Sequence, residues 1–315
     1  MENKTALITG CAGYLGSHLA KSLKKQGWKI VGLAHKRTTH NPYIDIVHYG
    51  DIRDNDVLNL IFEKFHIDVV YHLASRIEAG ISFEQPTEFY SVNTGGTTNL
   101  LNSMYNHKVK NIVFSSSAAV YKAKKEPISE NSEIVNNSPY GYSKWCAESA
   151  IRDSGLNYVI FRYFNLTGAD PDGEFGEVHE PETHLIPRII QNLNNFSING
   201  VDYETKDGTC IRDYVHVTDI ADAHSNAGKY LLDGNKSTTL NLGTGKGYSI
   251  LEIVKELEKI VGHNLKYKIN PRRLGDPASL IADTSLAEKT LTFKPKHDII
   301  SILQTAYNWH LKNDK

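Results

Sequence analysis

Long apolar runs are missing from this chain. No stretch approaches the ~20 residues that a bilayer-spanning helix needs, so no membrane span is expected. The opening Met1-Glu2-Asn3-Lys4 leads straight into a short apolar segment and shows no signal-peptide pattern, which predicts a cytoplasmic protein. Cysteine is scarce. Cys11, Cys146 and Cys210 cannot all pair with one another, and none stands in a C-x-x-C spacing, so reduced thiols are expected. Excess charge of either sign is also missing, with a formal net charge of -1. That balance gives no footprint for nucleic acid and no acidic tail. The fourteen histidines form no H-E-x-x-H or similar ligand spacing, so no metal is expected. There is no internal repeat, low-complexity tract or linker.

Alternation is what the chain does have. Thr5–Thr9, Ile30–Leu33, Ile46–Tyr49, Asp68–His72, Asn111–Ser115 and Tyr158–Phe161 read as short apolar strands. Helical patterns at Leu15–Lys25, Val57–Phe65, Phe89–Tyr105 and Tyr140–Arg152 separate most of them. Strands spaced by helices predict an α/β fold, a Rossmann-type doubly wound parallel sheet covered on both faces. Beyond about Asn165 the pattern turns irregular, with Gly and Pro clustered in Gly168–Pro187 and helices expected at Ile186–Asn194 and Ile250–Val261. The expected division is a dinucleotide-binding domain at 1–165, to which later segments return, and a smaller mixed α/β lobe at 166–315.

The first strand runs into Gly10-Cys-Ala-Gly13-Tyr-Leu-Gly16 and then a helix. Glycines at this spacing permit a tight turn and let backbone N–H groups approach a pyrophosphate, towards which the helix points its positive end. The acid that ordinarily binds the adenosine ribose at the end of the second strand is missing: the segment reads Leu33-Ala34-His35-Lys36-Arg37. Lys36 and Arg37 suit a 2′-phosphate, so NADP stands as the alternative to NAD. Asp51, after the third strand, is placed to face the adenine, or to open the next helix.

Tyr140-Gly-Tyr-Ser-Lys144 puts a tyrosine and a lysine on one helix face, a turn apart. A phenol with an ordinary pKa of about 10 is a poor base at neutral pH. A nearby ammonium and an oxidised nicotinamide both favour the phenolate, bringing it towards the working range. Upstream, Phe114-Ser-Ser-Ser117 ends a strand with a hydroxyl that can share the proton. Tyr140, Ser117 and Lys144 are the expected catalytic groups.

The glycine turn, the serine run and the Y-x-x-x-K pair occur in that order. Arg162-Tyr-Phe-Asn165, Pro181-Glu-Thr-His-Leu-Ile-Pro187, Asp207-Gly-Thr-Cys-Ile-Arg-Asp-Tyr-Val-His216, Asn241-Leu-Gly-Thr-Gly245 and Pro271-Arg-Arg-Leu-Gly-Asp276 follow. With these the chain resembles the extended short-chain dehydrogenase/reductase family over nearly its whole length, and within it the branch that epimerises UDP-hexoses at C4. The resemblance implies tightly held NAD. It implies cofactor contacts from Gly10, Gly13, Tyr14, Leu15, Gly16, Lys36, Arg37, Asp51, Ile52, Leu73, Ala74, Tyr140, Lys144 and Tyr163. It implies substrate contacts from Ser117, Asn165, His184, Leu185, Arg212, Arg273 and Asp276. Guanidinium groups suit a diphosphate because they offer paired donors of fixed geometry. Oxidation at C4 to a transient 4-keto sugar, rotation, and return of the hydride to the other face is the implied reaction. A homodimer through Phe89–Tyr105 and Tyr140–Arg152 is implied as well.

Several positions depart from the family pattern. Ala118-Ala119, where dehydratases of the same superfamily carry an acid after the serine run, is no such departure and favours epimerisation. Arg76 and Glu78 alter the charge near the expected sugar site. Leu280 stands where some members have a tyrosine, leaving room for a 2-N-acetyl group on the sugar. Two other readings stay open on the residues: an NADPH-dependent nucleotide-sugar reductase, and a dinucleotide-binding regulatory protein without turnover.

Overall fold

The computed structural model describes residues 4–35, 40–272 and 276–313. In chain order the first part comprises β1 (Thr5–Thr9), α1 (Tyr14–Lys25), β2 (Lys29–Ala34), β3 (Ile46–Tyr49), α2 (Asn55–Lys64), β4 (Val69–His72), α3 (Pro86–Phe89), α4 (Gly96–Asn106), β5 (Asn111–Ser117), α5 (Pro139–Asp153) and β6 (Asn157–Tyr163). There follow β7 (Asn165–Thr167), α6 (Leu185–Gln191), β8 (Phe196–Asn199), β9 (Ile211–His216), α7 (Val217–Leu232), β10 (Thr238–Leu242) and β11 (Gly247–Ser249). The last elements are α8 (Ile250–Val261), β12 (Tyr267–Asn270), β13 (Ser279–Leu280), α9 (Ser285–Leu291) and α10 (Ile299–Asn313).

The main sheet has seven strands in the order β10-β6-β5-β4-β1-β2-β3, with β3, β2, β1, β4 and β5 paired in parallel. This is the Rossmann-type doubly wound sheet expected from the alternating pattern. All five residues of β1 are buried, as are the last five of β2 and all of β4. Strands covered on both faces must be apolar throughout, which is why they read as runs rather than alternations. Strand order reverses between β1 and β4, and in open α/β sheets ligands bind at the carboxyl ends of strands at such a point. The glycine turn lies there.

The chain divides into two compact units. The first comprises 1–121, 134–162 and 221–240, around a core that includes Leu7, Val31, Val70, Ile112, Phe114 and Ile160. The second comprises 122–133, 163–220 and 241–315, with its own core including Ile189, Ile198, Tyr214, Ile253, Leu257 and Ile302. Within the second unit β9 is flanked by β11 and β13 and also pairs with β7, while β8 pairs with β12.

Local chemistry sets several boundaries. Helix α2 begins earlier than the apolar period suggests, because Asp54 caps it through the amides of Asp56 and Val57. Helix α5 opens on Pro139 at its first position, with Ser138 accepting from the Gly141 amide. The long helix expected at Phe89–Tyr105 is instead α3, a π-helical stretch at Tyr90–Gly95, and α4. Close packing accompanies the switch: a Cβ on Gly96 would lie 2.5 Å from the Ile52 side chain. Such π-turns often mark functional sites. No helix among the described residues is long and apolar enough to cross a membrane.

Candidate active site

The glycine turn joins β1 to α1. Gly10 adopts φ 72°, a left-handed conformation that glycine takes without strain. A Cβ on Gly10 would lie 2.9 Å from the Ala74 amide nitrogen, and one on Gly16 2.3 Å from the Gly10 carbonyl. The turn therefore closes only with glycine at both positions, and it brings Leu73 and Ala74 at the end of β4 against Gly10. Gly13 caps α1 without any side-chain hydrogen bond, and no acid occupies the helix's first turn. With no acid in that first turn, the helix start keeps its positive end. These features fit a dinucleotide pyrophosphate.

Around the turn, Thr9 Oγ1 accepts from the amides of both Leu73 and Ala74 and meets His72 Nδ1 at 2.8 Å. The other ring nitrogen of His72 meets Thr97 Oγ1 at 2.9 Å. Burial, with the Lys144 charge nearby, drives the His72 pKa down to about 3. The imidazole is thus neutral at any working pH and serves as a hydrogen-bonding strut.

Asp51 is engaged by its neighbour. Arg53 donates to Asp51 from Nε at 3.0 Å and Nη2 at 2.7 Å, and this fork holds the carboxyl below its ordinary range. His35 Nε2 lies 3.3 Å from Asp51 Oδ2. Ile52 is buried beside Gly96, and Ala34 closes β2. Lys36 and Arg37 lie outside the described residues, as does Arg273.

Ser117 ends β5 and Tyr140 lies in the first turn of α5. A hydrogen bond from Ser117 pulls the Tyr140 pKa down, but burial outweighs it and the Glu78 carboxylate adds to the upward push. In the chain without cofactor the net direction is upward. Lys144 donates to the Ser115 carbonyl at 2.8 Å and lies over the Phe114 ring. Burial lowers the Lys144 pKa to about 7, against the upward pull of Glu148. Tyr140, Lys144 and Glu148 thus succeed one another at four-residue spacing along α5.

Two residues of this site carried no signal of their own in the sequence. Asn93, in the π-helical stretch, accepts from the Arg76 amide and donates to the Arg76 carbonyl and to Ser143 Oγ. It ties the Arg76–Glu78 loop to the turn between Tyr140 and Lys144. The Arg76 guanidinium lies 5.3 Å over the Phe89 ring, which meets Tyr140 edge-on. Glu148, fully buried, accepts from Arg162 Nε at 2.9 Å, from Arg152 and from Ser116.

The second unit holds the remaining candidates. Tyr163 closes β6, and Asn165 opens β7 opposite Tyr214. Arg212 forms an ion pair with Asp276, so the fold joins two candidates that stand 64 residues apart. Leu280 is the register partner of Arg212. Asp213 is an internal hub: it accepts from the amides of Thr244, Gly245 and Ala282 and from the Thr244 hydroxyl. A Cβ on Gly243 would lie 2.5 Å from that carboxylate. The Asn241–Gly245 motif is thus architectural.

His184 and Leu185 stand at the start of α6. His184 faces Glu177 and Glu182, as does His179. Burial alone would lower both imidazoles; the two carboxylates instead hold His179 up at about 9 and His184 at about 10.

Comparison with known proteins adds to this geometry. Residues 6–243 match the NAD dependent epimerase/dehydratase family. A UDP-glucose 4-epimerase of Halalkalibacterium halodurans is 42% identical over 320 residues, covering 96% of this chain and 95% of that protein. The crystal structure of UDP-glucose 4-epimerase from Brucella ovis in complex with NAD superposes with a TM-score of 0.92 at 41% identity, covering 97% of this chain and 98% of that one. That from Bifidobacterium longum in complex with NAD+ and UDP also gives 0.92, at 35% identity and 99% coverage of both chains.

Proposed function

The chain belongs to the NAD dependent epimerase/dehydratase family, and on that premise we propose that it is an NAD-dependent epimerase that inverts C4 of a UDP-hexose, UDP-glucose and UDP-galactose first. The observation that carries this reading is the convergence of Ser117, Tyr140 and Lys144 at the ends of β5 and the start of α5, with no acid at Ala118-Ala119. Without an acid there, nothing protonates a leaving hydroxyl, and the sugar keeps all its oxygens. Relatives with NAD bound favour NAD over NADP despite Ala34.

The residues divide the work. The amides at the start of α1, freed by Gly10, Gly13 and Gly16, hold the pyrophosphate. Asp51 and Ile52 flank the adenosine end, Leu73 and Ala74 line the path towards the nicotinamide, and Tyr163 is a further cofactor contact. Tyr140 takes the proton from the sugar 4-hydroxyl and later returns it, with Ser117 hydrogen-bonded to the same oxygen. Lys144, buried and held by the Ser115 carbonyl, fixes the nicotinamide ribose and favours the phenolate. NAD, when bound, supplies the redox chemistry, accepting a hydride from C4 and giving it back to the opposite face. Asn165, Leu185, Arg212, Arg273 and Asp276 hold the UDP portion. Arg212 then exchanges part of its contact with Asp276 for a phosphate, which its planar fork suits.

Purified protein is expected to interconvert UDP-galactose and UDP-glucose with no net consumption of NAD, read by chromatography of the nucleotide sugars. Failure with this pair and with UDP-N-acetylglucosamine would sink the proposal. Conversion of the N-acetylated pair alone would keep the chemistry and reassign the sugar. The relatives' NAD complexes stand against the NADPH-reductase reading. Stoichiometric loss of NADPH with a 4-keto sugar would restore it.

We further infer a homodimer built on α3–α4 and α5, whose outer faces carry exposed side chains such as Tyr105. Light scattering coupled to gel filtration should give twice the 35.3 kDa chain mass. A monomer at micromolar concentration contradicts this.

A further inference from the structure

The segment Glu177-Val-His-Glu-Pro-Glu-Thr-His184 reads E-x-H-x-x-E-x-H, which matches no helical metal-ligand spacing. The fold nevertheless gathers its four titratable side chains. One ligand-capable atom from each of Glu177, His179, Glu182 and His184 lies within 4.8 Å of all the others. His179 Nδ1 stands 3.4 Å from Glu177 Oε1 and 3.4 Å from Glu182 Oε2. His184 Nδ1 stands 2.8 Å from Glu177 Oε1 and 3.4 Å from Glu182 Oε1.

These separations have a meaning in coordination chemistry. Zinc binds histidine nitrogen and carboxylate oxygen at about 2.0–2.2 Å, so neighbouring ligands of a tetrahedron stand about 3.3–3.5 Å apart. With Glu177 Oε1 and Glu182 Oε2 as the donor oxygens, both separations from His179 Nδ1 already have that value, and that between His184 Nδ1 and Glu177 Oε1 needs to open by about 0.6 Å.

The hydrogen bonding points the same way. His179 Nδ1, His184 Nδ1, Glu177 Oε2 and Glu182 Oε2 are buried and have no hydrogen-bond partner of good geometry among the described residues. The nitrogens approach carboxylate oxygens, but not along N–H directions. The Glu177 side chain is only 3% exposed, whereas that of His184 is 43% exposed, so the group is anchored at one side and reachable from the other. The backbone holds part of it in place: Glu182 Oε1 accepts from the His184 amide at 2.8 Å, leaving Oε2 for another partner.

We propose that Glu177, His179, Glu182 and His184 form a binding site for a divalent transition-metal ion of the zinc type. Carboxylates alone would suit Mg²⁺ or Ca²⁺, but the two imidazoles are borderline ligands that favour Zn²⁺. Two carboxylates neutralise the ion, and four protein ligands make the site a closed, structural one. The ion pins the 177–184 segment to the start of α6, next to Leu185. His184 is thereby a metal ligand rather than a contact to substrate. Without metal, two protonated imidazoles between the carboxylates give a charge-balanced alternative, and Zn²⁺ displaces their protons.

The full chain, stripped with EDTA and titrated with Zn²⁺ alone, is expected to take up one ion per chain at sub-micromolar affinity. X-ray absorption should show four nitrogen or oxygen neighbours at about 2.0 Å. The His179→Gln/His184→Gln double variant should lose at least a hundredfold in affinity and the rise in Tm that Zn²⁺ gives the wild type. Should the double variant fail to fold by circular dichroism, the single variant Glu182→Gln decides, with a loss of at least tenfold expected. Equal zinc affinity in wild type and a folded variant overturns the site. So does a sulfur neighbour in the absorption spectrum, or no uptake by the wild type at micromolar free zinc.

Discussion

Tyr140→Phe is expected to lower kcat by about 10²–10⁴-fold, the range for loss of a positioned proton-transfer group. Removing one oxygen leaves the ring's edge-on contact with Phe89, so Tm and NAD retention should stay near wild type. An assay of UDP-galactose conversion at saturating substrate measures the effect, and activity within threefold of wild type would remove Tyr140 from the mechanism. The pH profile carries a second, directional test. Burial and the Glu78 charge push the phenol up, while Ser117 pulls it down. Activity that depends on phenolate therefore rises as pH increases through the phenol's pKa. Ser117→Ala should move that rising limb to higher pH, and Glu78→Gln should move it to lower pH. The phenol should also titrate lower in NAD-loaded protein than in the cofactor-free chain, because the oxidised nicotinamide is positively charged. A limb that ignores both substitutions would assign it to another group.

Glu148→Ala should destabilise the protein by about 3–5 kcal/mol, the usual cost of breaking a buried ion pair from one side. The substitution strands Arg162, which is 3% exposed and donates to Glu148 from both Nε and Nη2. It also removes the carboxylate that receives Ser116 and Arg152. Thermal unfolding should show a drop in Tm on the order of 10 °C. Replacing both partners, as Glu148→Leu with Arg162→Met, should recover most of the loss, because two apolar side chains leave no buried charge alone. A single variant as stable as wild type would contradict the assignment. The loss should reach the active site as well. Lys144 sits at about 7 with Glu148 pulling it up, so without that carboxylate its charge is lost at lower pH. In the Leu/Met pair, where folding is restored, the loss of activity that accompanies deprotonation of Lys144 should therefore occur at lower pH than in wild type.

The local features were legible where chemistry is repeated by the chain itself. The glycine turn could be placed because it sits between an apolar run and a helical period, and the structure explains Gly10 and Gly16 by backbone atoms that a Cβ there would strike. Tyr140 and Lys144 could be placed on one face because four residues make about one helical turn. Helix starts were less legible, since Asp54 and Ser138 act through hydrogen bonds that an apolar period does not register. The interruption at Tyr90–Gly95 gave no advance notice, because a π-turn follows from packing at Gly96 and from the contacts of Asn93.

What the sequence by itself determined is the alternation of buried strands with helices, the glycine turn, and the order of serine, tyrosine and lysine. The glycine turn and the Tyr140–Lys144 pair depend on neighbours within about two turns of chain, where spacing fixes geometry. Only the tertiary structure decided how the charges are balanced. It set Glu148 beneath Lys144 against Arg162, turned Asp51 onto Arg53, and placed Glu78 where it opposes ionisation of Tyr140. It likewise drew Glu177, His179, Glu182 and His184 into one cluster from a spacing that matches no regular element. Electrostatics depends on distance through space and on burial, and neither can be counted off along a chain.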